Sequence, residues 1–320
     1  MAASIQQESV RTLRFPCRLG ELTLWNPHRR LWVYHAGLWD DVPESVLVHR
    51  FQQQQGEASG ALLYGVHVSG GERRLRWESG LLRYLPQSAD RYLIDLTSSL
   101  DDYMARFGAK SRSTLRRKVR RFEREGGPDA CFREYRGAEA LDEFLPLACE
   151  VSSRSYQEIM LDAGMPDDAS FQSHMRAAGE EDRARGYLLF YQGTPVAYLY
   201  CPITDGVARY EFVGYDQAHR GLSPGTVLLM YVLESLFKDP GVHTFDFTEG
   251  GGEASHKAFF ATDAFRCGNV YLMRPTPGNT LIIMAQLVSS SLSEAASRLL
   301  TRLGLKAWVK RVLRRLRRAS

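Results

Sequence analysis

Between Tyr187 and Met273 the spacing of apolar residues changes several times, and each change marks an element. The runs YLLFYQGTPVAYLYCPI and VARYEFVGYD alternate or stay apolar throughout, as half-buried and buried strands do. In RGLSPGTVLLMYVLESLF, the residues Val227, Leu228, Leu229, Tyr231, Val232, Leu233, Leu236 and Phe237 form the apolar run of a helix. HTFDFTEGGG then reads as a buried strand, SHKAFF as a short helix and NVYLMR as a closing strand. This order predicts an α/β (α+β) unit in which strands precede and follow one central helix.

Upstream, short strand-like runs occur at Glu21 to Trp25, Leu31 to Tyr34, Ser45 to Phe51, Ala61 to Val68 and Arg73 to Trp77, separated by Gly, Pro and Asn. Trp25, Trp32, Trp39 and Trp77 lie among them and are expected in the core, with Gln52 to Gln55 as a loop. Ser99 ahead of Asp101 and Asp102, with Gly108 beyond, punctuates a helix over Leu100 to Phe107. A second helix over Ser113 to Glu125 places Leu115, Val119 and Phe122 on one face. Ala138 to Met160 is helical in spacing, with Pro146 marking a kink or break, and Ile159 to Asp182 is looser and polar, a candidate lid or acceptor loop.

Past Pro275, Leu281, Met284, Val288, Leu292, Ala295, Leu299 and Leu303 form a helical stripe. Gly304 interrupts it, and Leu305, Trp308, Val309, Val312 and Leu316 resume it opposite Lys310, Arg311, Arg314, Arg315 and Arg318. The patterns divide the chain into a β-rich domain (1–110), an α/β domain (111–275) and a basic amphipathic helical tail (276–320).

Charge sharpens this division. The net charge is only +4, yet Lys110 to Arg121 holds seven basic residues and no acids, and Arg302 to Ser320 holds eight and no acids. The rest of the chain is therefore net acidic, and the positive charge is concentrated in two places. Like charges at helical spacing repel, so the first cluster is either a solvated face or a site for an anion: a nucleotide or lipid-linked sugar phosphate, acidic headgroups, or transfer RNA. No nucleic-acid motif accompanies it. The second is either a helix packed on the catalytic domain or a membrane-surface element favouring anionic lipid.

Five unclustered cysteines without Cys-x-x-Cys, scattered histidines and no basic-then-apolar N-terminal run point to a cytoplasmic chain without a disulfide framework or metal site. Gly221-Leu222-Ser223-Pro224-Gly225 has the Gly-x-Ser-x-Gly spacing, but serine hydrolysis of the α/β-hydrolase type is not the expected chemistry.

The entry to the central helix, Arg220-Gly221-Leu222-Ser223-Pro224-Gly225-Thr226, is either an ordinary strand-to-helix turn or a phosphate cradle, since backbone N–H groups at a helix start have no internal partner. Glu211 is placed with Arg209, Val213 and Tyr215 on one strand face, as a base or as the partner of Arg209. Asp246, between Phe245 and Phe247, is either an anchor or a carboxylate of shifted pKa. The turn Glu249-Gly250-Gly251-Gly252-Glu253 permits close approach of a substrate to the backbone.

The order of elements and this loop resemble the GNAT (Gcn5-related N-acetyltransferase) superfamily, whose R/Q-x-x-G-x-G/A loop holds the coenzyme A pyrophosphate. Arg220 matches the first position and Gly225 the last; Ser223 stands at the middle glycine, and Pro224 lacks an N–H. A closer resemblance, over about residues 105 to 260, is to acetyltransferase-like proteins of bacterial cellulose and exopolysaccharide systems, similar to the Fem-type aminoacyl transferases. It rests on the basic run before Glu125-Gly126-Gly127, the helix with Arg154, PVAYLY, LSPG and the Asp246-Phe247 to Lys257 segment, with His256-Lys257 where the family shows Tyr-Lys.

The resemblance implies an N-acyltransferase using acetyl-CoA or another acyl-CoA as co-substrate, without a metal, on an amino sugar, glycan or cell-envelope precursor. Arg220, Gly221, Ser223, Gly225 and Thr226 would hold the cofactor, and Glu211 or His256 would handle the proton. Lys257 would stabilise charge, Asp246 would belong to the site, and Arg116, Arg117, Arg120 and Arg154 would meet the substrate. It also implies that residues 1–110 are a degenerate GNAT-like half. Two other readings stay open: a Fem-like transferase using aminoacyl-tRNA, and a non-catalytic adaptor of a polysaccharide complex. The tail would place the enzyme at the inner face of the membrane.

Overall fold

A computed structural model describes residues 8–19, 22–35, 38, 42–53, 58–155, 164–250 and 255–302. Trp39, Gln54 and Gln55, the start of the 159–182 stretch, Gly251 to Glu253 and the stripe beyond Arg302 lie outside the described residues. The chain forms two compact units, Met1–Ala89 with Arg266–Ser320, and Asp90–Phe265. These bounds differ from the three segments read in the sequence. Tyr103 and Met104 sit in the second unit's core, while Val270 and Leu272 pack with Leu63 in the first.

The first unit is a mixed sheet with a helix against each face. Its strands run β1 (Glu8–Arg14), β4 (His28–His35), β5 (Gly60–His67), β15 (Asp263–Met273), β7 (Leu81–Tyr84) and β6 (Leu75–Glu78). Only β4 and β5 are parallel. Strand side chains alternate between faces. Trp32, Tyr34 and Leu63 therefore meet Leu47, Val48 and Phe51 of α1 (Glu44–Gln53), while Leu31, Val33 and Leu62 meet Ile282 and Ile283 of α8 (Pro277–Arg302). A hairpin of β2 (Cys17–Leu19) and β3 (Leu22–Trp25) stands beside this sheet.

Two expectations change here. Ser45 to Phe51 is helix, because Leu47, Val48 and Phe51 share one helical face behind Pro43 and the first-turn Glu44; Gln52 and Gln53 continue it. Trp32 is buried, but Trp25 and Trp77 are 41% and 64% exposed, on the hairpin and on the terminal strand β6.

The second unit carries the order β8 (Ser88–Asp95), β14 (Thr244–Glu249), β12 (Val207–Arg209), β11 (Thr194–Thr204), β10 (Ala184–Tyr191) and β9 (Cys131–Arg136). β13 (Phe212–Tyr215) also pairs with β11, and only β12 and β14 are parallel. Tyr187, Leu189, Ala197 and Leu199 share a core with α2 (Leu100–Ala105), α3 (Ala109–Gly126), α6 (Pro224–Leu236) and α7 (His256–Phe260). Leu188, Phe190, Tyr198 and Tyr200 face α4 (Ala138–Ser153) and α5 (Ala169–Glu180).

Local chemistry explains the shifted boundaries. α3 starts at Ala109, after Gly108 in an extended conformation, and α4 passes through Pro146 without ending. The polar 159–182 stretch contains α5, whose Asp168 cap accepts from the N–H groups of Ser170 and Phe171. The strand read over 207–216 is two, broken at Tyr210 and Glu211, so Arg209 and Glu211 do not continue one face with Val213 and Tyr215. At the break, the Tyr210 N–H donates to the Asp246 carbonyl at 2.9 Å and the Glu211 N–H to that of Tyr200 at 3.3 Å.

Candidate active site

α6 enters from a 3-10 turn over Gln217–Leu222 that Asp216 begins. The Asp216 carboxylate accepts from the Ala218 N–H at 2.8 Å and from Arg154 Nε at 2.9 Å. Arg154 also reaches Glu150 at 2.9 Å and the Pro195 carbonyl at 3.2 Å, so its guanidinium fastens the end of α4 to the loop. Ser223 adopts φ 55°, ψ 47°, the left-handed region in which glycine is at ease, at the position where the GNAT loop has its middle glycine. A Cβ at Gly221 would meet nothing within 4 Å, and at Gly225 only the Tyr215 ring, at 3.4 Å, so the space above the loop is open.

Two cations of α3 reach this loop. Lys118 Nζ donates to Thr226 Oγ1 at 3.4 Å, and Arg121 donates to the Gly221 carbonyl at 3.5 Å. A cavity of about 410 Å³ opens beside them, lined by Lys110, Ser111, Thr114, Lys118, Thr226 and His256, with Phe259 and Phe260 as apolar wall. Its polar groups come from α3, the first turn of α6 and the first turn of α7. Arg220 is exposed on the turn before α6.

α3 has a second polar side. Arg112, Arg116, Arg117, Arg120, Arg121 and Arg124 line a groove of about 690 Å³. Arg121 and Arg124 share Glu125, and Arg112 bonds the carbonyls of Ala105 and Phe107. Arg116, Arg117 and Arg120 have no carboxylate partner among the described residues.

Beyond the cavity, Asp246 is fully buried and paired with Arg91, whose NH2 lies 2.5 Å from one carboxylate oxygen and whose Nε lies 3.1 Å from the other. The Thr248 N–H adds a third donor at 2.7 Å. Thr248 itself stands at φ 62°, a strained conformation for a β-branched residue. Lys257 holds the same segment, donating to the Glu249 carbonyl at 3.0 Å and to Thr248 Oγ1 at 3.4 Å. Burial lowers its pKa, against the raising effect of Asp246 and Glu249.

His256 is exposed, with its ring flanked by Tyr210 and Phe247 at centroid distances of 6.3 and 6.2 Å. The cover on that side, and secondarily the Lys257 charge, lower its pKa below the ordinary histidine value, favouring the neutral imidazole. Glu211 is exposed and pairs with Arg209 at 3.1 Å.

The structure thus gathers Thr226 and His256 around one cavity, with Lys118 as a cation that the sequence alone leaves inside a run. It sets Asp246 and Lys257 into the support behind that cavity, and Glu211 into a surface ion pair. Arg116, Arg117 and Arg120 lie on the other side of α3, and Arg154 lies under the loop. Arg91 and Thr248 carried no sequence signal, since Arg91 is 155 residues from its partner and Thr248 is notable only for its backbone. Among the described residues no group of three or more His, Cys, Asp or Glu is gathered as a metal site would be.

Residues 109–258 match a family model described as an acetyltransferase (GNAT) domain. The solved structures similar to the chain include the C-terminal domain of a protein described as a lysylphosphatidylglycerol synthetase from Agrobacterium fabrum. That pair is 15% identical, covers 88% of this chain and 89% of the other, and has a TM-score of 0.53. FemX is similar at 10% identity, 87% and 91% coverage and a TM-score of 0.52. No curated protein matches. The fold is accordingly a mixed α/β, GNAT-like one, and the matched domain is of the GNAT acyltransferase type.

Proposed function

We propose that the chain is an N-acyltransferase that takes its acyl group from a coenzyme A thioester and passes it to the amine of an amino sugar, glycan or envelope precursor. The observation that carries this reading is one cavity that brings the cation Lys118 and Thr226, at the start of α6, together with a histidine, His256. The pyrophosphate would lie against the first turn of α6, where Pro224 withholds one N–H and Lys118 supplies a charge in its place.

N-acylation requires an uncharged amine within reach of a base and of the acyl carbonyl. A neutral imidazole on the cavity wall can take the amine proton as the nitrogen bonds to the thioester carbon, and the coenzyme leaves as thiolate or thiol. Asp246 and Lys257 would act by holding Thr248 and the end of β14, from which the chain runs to His256. The test is calorimetric titration of the protein with acetyl-CoA and longer acyl-CoAs, beside Arg220→Ala and Lys118→Ala. Binding near about 10 μM that weakens in both variants is the expected result. Absence of binding to every thioester overturns it.

A second reading is aminoacyl transfer from charged transfer RNA. It draws on the correspondence of fold over nearly the whole of the FemX chain and on the cationic groove of α3. Salt-sensitive binding of aminoacyl-tRNA, lost when Arg116, Arg117 and Arg120 are replaced, is its signature.

A further inference from the structure

α8 is apolar on two opposite sides. Stepping about 100° per residue, Leu281, Met284, Val288, Leu292, Ala295 and Leu299 fall within an arc of about 80°. Ile282 and Ile283 point the other way and are buried in the first unit, together with Asn279, which bonds the carbonyls of Ser59 and Arg274. The inward side therefore already has its partner. The outward stripe has none among the described residues: Leu281, Met284, Val288, Leu292 and Leu299 are between 46% and 60% exposed.

A run of about 27 Å of large aliphatic side chains facing water is uncommon on a soluble domain and marks a surface that is covered in use. The adjacent hairpin is fastened to the helix by Ser293, which donates to the Arg18 carbonyl at 3.1 Å, and it adds exposed Leu24 and Trp25. The composition of the chain beyond the stripe identifies the cover. Residues 302–320 hold eight Lys and Arg, no Asp or Glu, and a tryptophan. A long apolar stripe running into a polybasic, acid-free segment complements a surface that is apolar below and negative above. No helix among the described residues is long and apolar enough to cross a membrane.

We propose that the outward stripe of α8 is a monotopic docking surface for an anionic lipid bilayer, lying in the plane of the interface with Leu281, Val288 and Leu292 entering the acyl region. The surface is independent of the acyl-transfer cavity and serves to hold the enzyme where a lipid-linked or membrane-assembled amine acceptor is presented.

The test is flotation of the full chain with vesicles of phosphatidylcholine alone and with about 30% phosphatidylglycerol, beside Val288→Asp/Leu292→Asp. Both replaced side chains are exposed, so the variant should fold as the parent does, which circular dichroism verifies. The expected result is binding to the anionic vesicles only, reduced about 30-fold or more in the variant. Equal binding of the two proteins overturns the proposal, because the polybasic segment then acts without the stripe. Failure of the parent to bind also overturns it, and a concentration-dependent dimer mass, abolished in the variant, would identify a second copy as the cover.

Discussion

The cations behind the cavity and those on the outer side of α3 are the same residue types in opposite circumstances. Arg91 is bound to a fully buried carboxylate, Arg154 to Asp216 and Glu150, and Lys257 to a backbone carbonyl. Arg116, Arg117 and Arg120, one turn apart on one helix, face no carboxylate among the described residues. The first set fixes backbone: each member holds a loop or strand end at the edge of the site. The second set repels itself and keeps its binding capacity for something outside the chain. A cation's function here depends on whether the fold supplies its counter-ion.

Substitutions separate the two sets most sharply where burial is greatest. Asp246→Ala leaves Arg91 without its buried partner and frees the Thr248 N–H, and should lower unfolding free energy by about 3–5 kcal/mol in urea denaturation. A loss under about 1 kcal/mol would place the pair among ordinary surface ion pairs. Arg154→Ala, in a partly exposed network, should cost about 1 kcal/mol, with higher amide exchange through residues 216–222 as the local readout.

Ser223→Gly should stabilise by about 1 kcal/mol, because glycine occupies the left-handed region without the Cβ conflict. It should also tighten acyl-CoA binding if the loop is the phosphate cradle, and leave binding unchanged if it is only a turn. Arg116→Ala/Arg117→Ala/Arg120→Ala should alter stability by no more than about 0.5 kcal/mol, while removing the salt-dependent binding of polyanions. A large destabilisation would return the groove to the architectural set.

The smallest effect is on pH dependence. The folded pKa of His256 lies below the unfolded value of about 6.5, so on acidification the unfolded chain binds the proton first. Its contribution is fully present above that pH, is lost as pH falls towards the folded pKa, and is constant below it. His256→Gln should flatten this segment of the stability–pH curve, and an unchanged slope would show a ring solvated like that of the unfolded chain.

The local pattern was readable wherever one side of an element is apolar. β10, β11, the central helix and β14 appear where spacing places them, because alternation and helical periodicity report burial directly. It misled where a short apolar run fits either period, as at Ser45 to Phe51, and where a helix is held by caps in a polar sequence, as in α5. Thr226 and His256, singled out in the sequence through the loop and the short helix that carry them, line one cavity.

What sequence alone determined about this protein is its element order, the segregation of charge and the departures at Ser223, Pro224 and His256, all of which depend on neighbours in the chain. Tertiary structure decided which cations are paired, that Asp246 is buried against Arg91, that Lys118 joins Thr226 and His256 at one cavity, and that the α8 stripe faces outward. These depend on contacts between residues up to 275 positions apart, and periodicity identifies an apolar face without naming what will cover it.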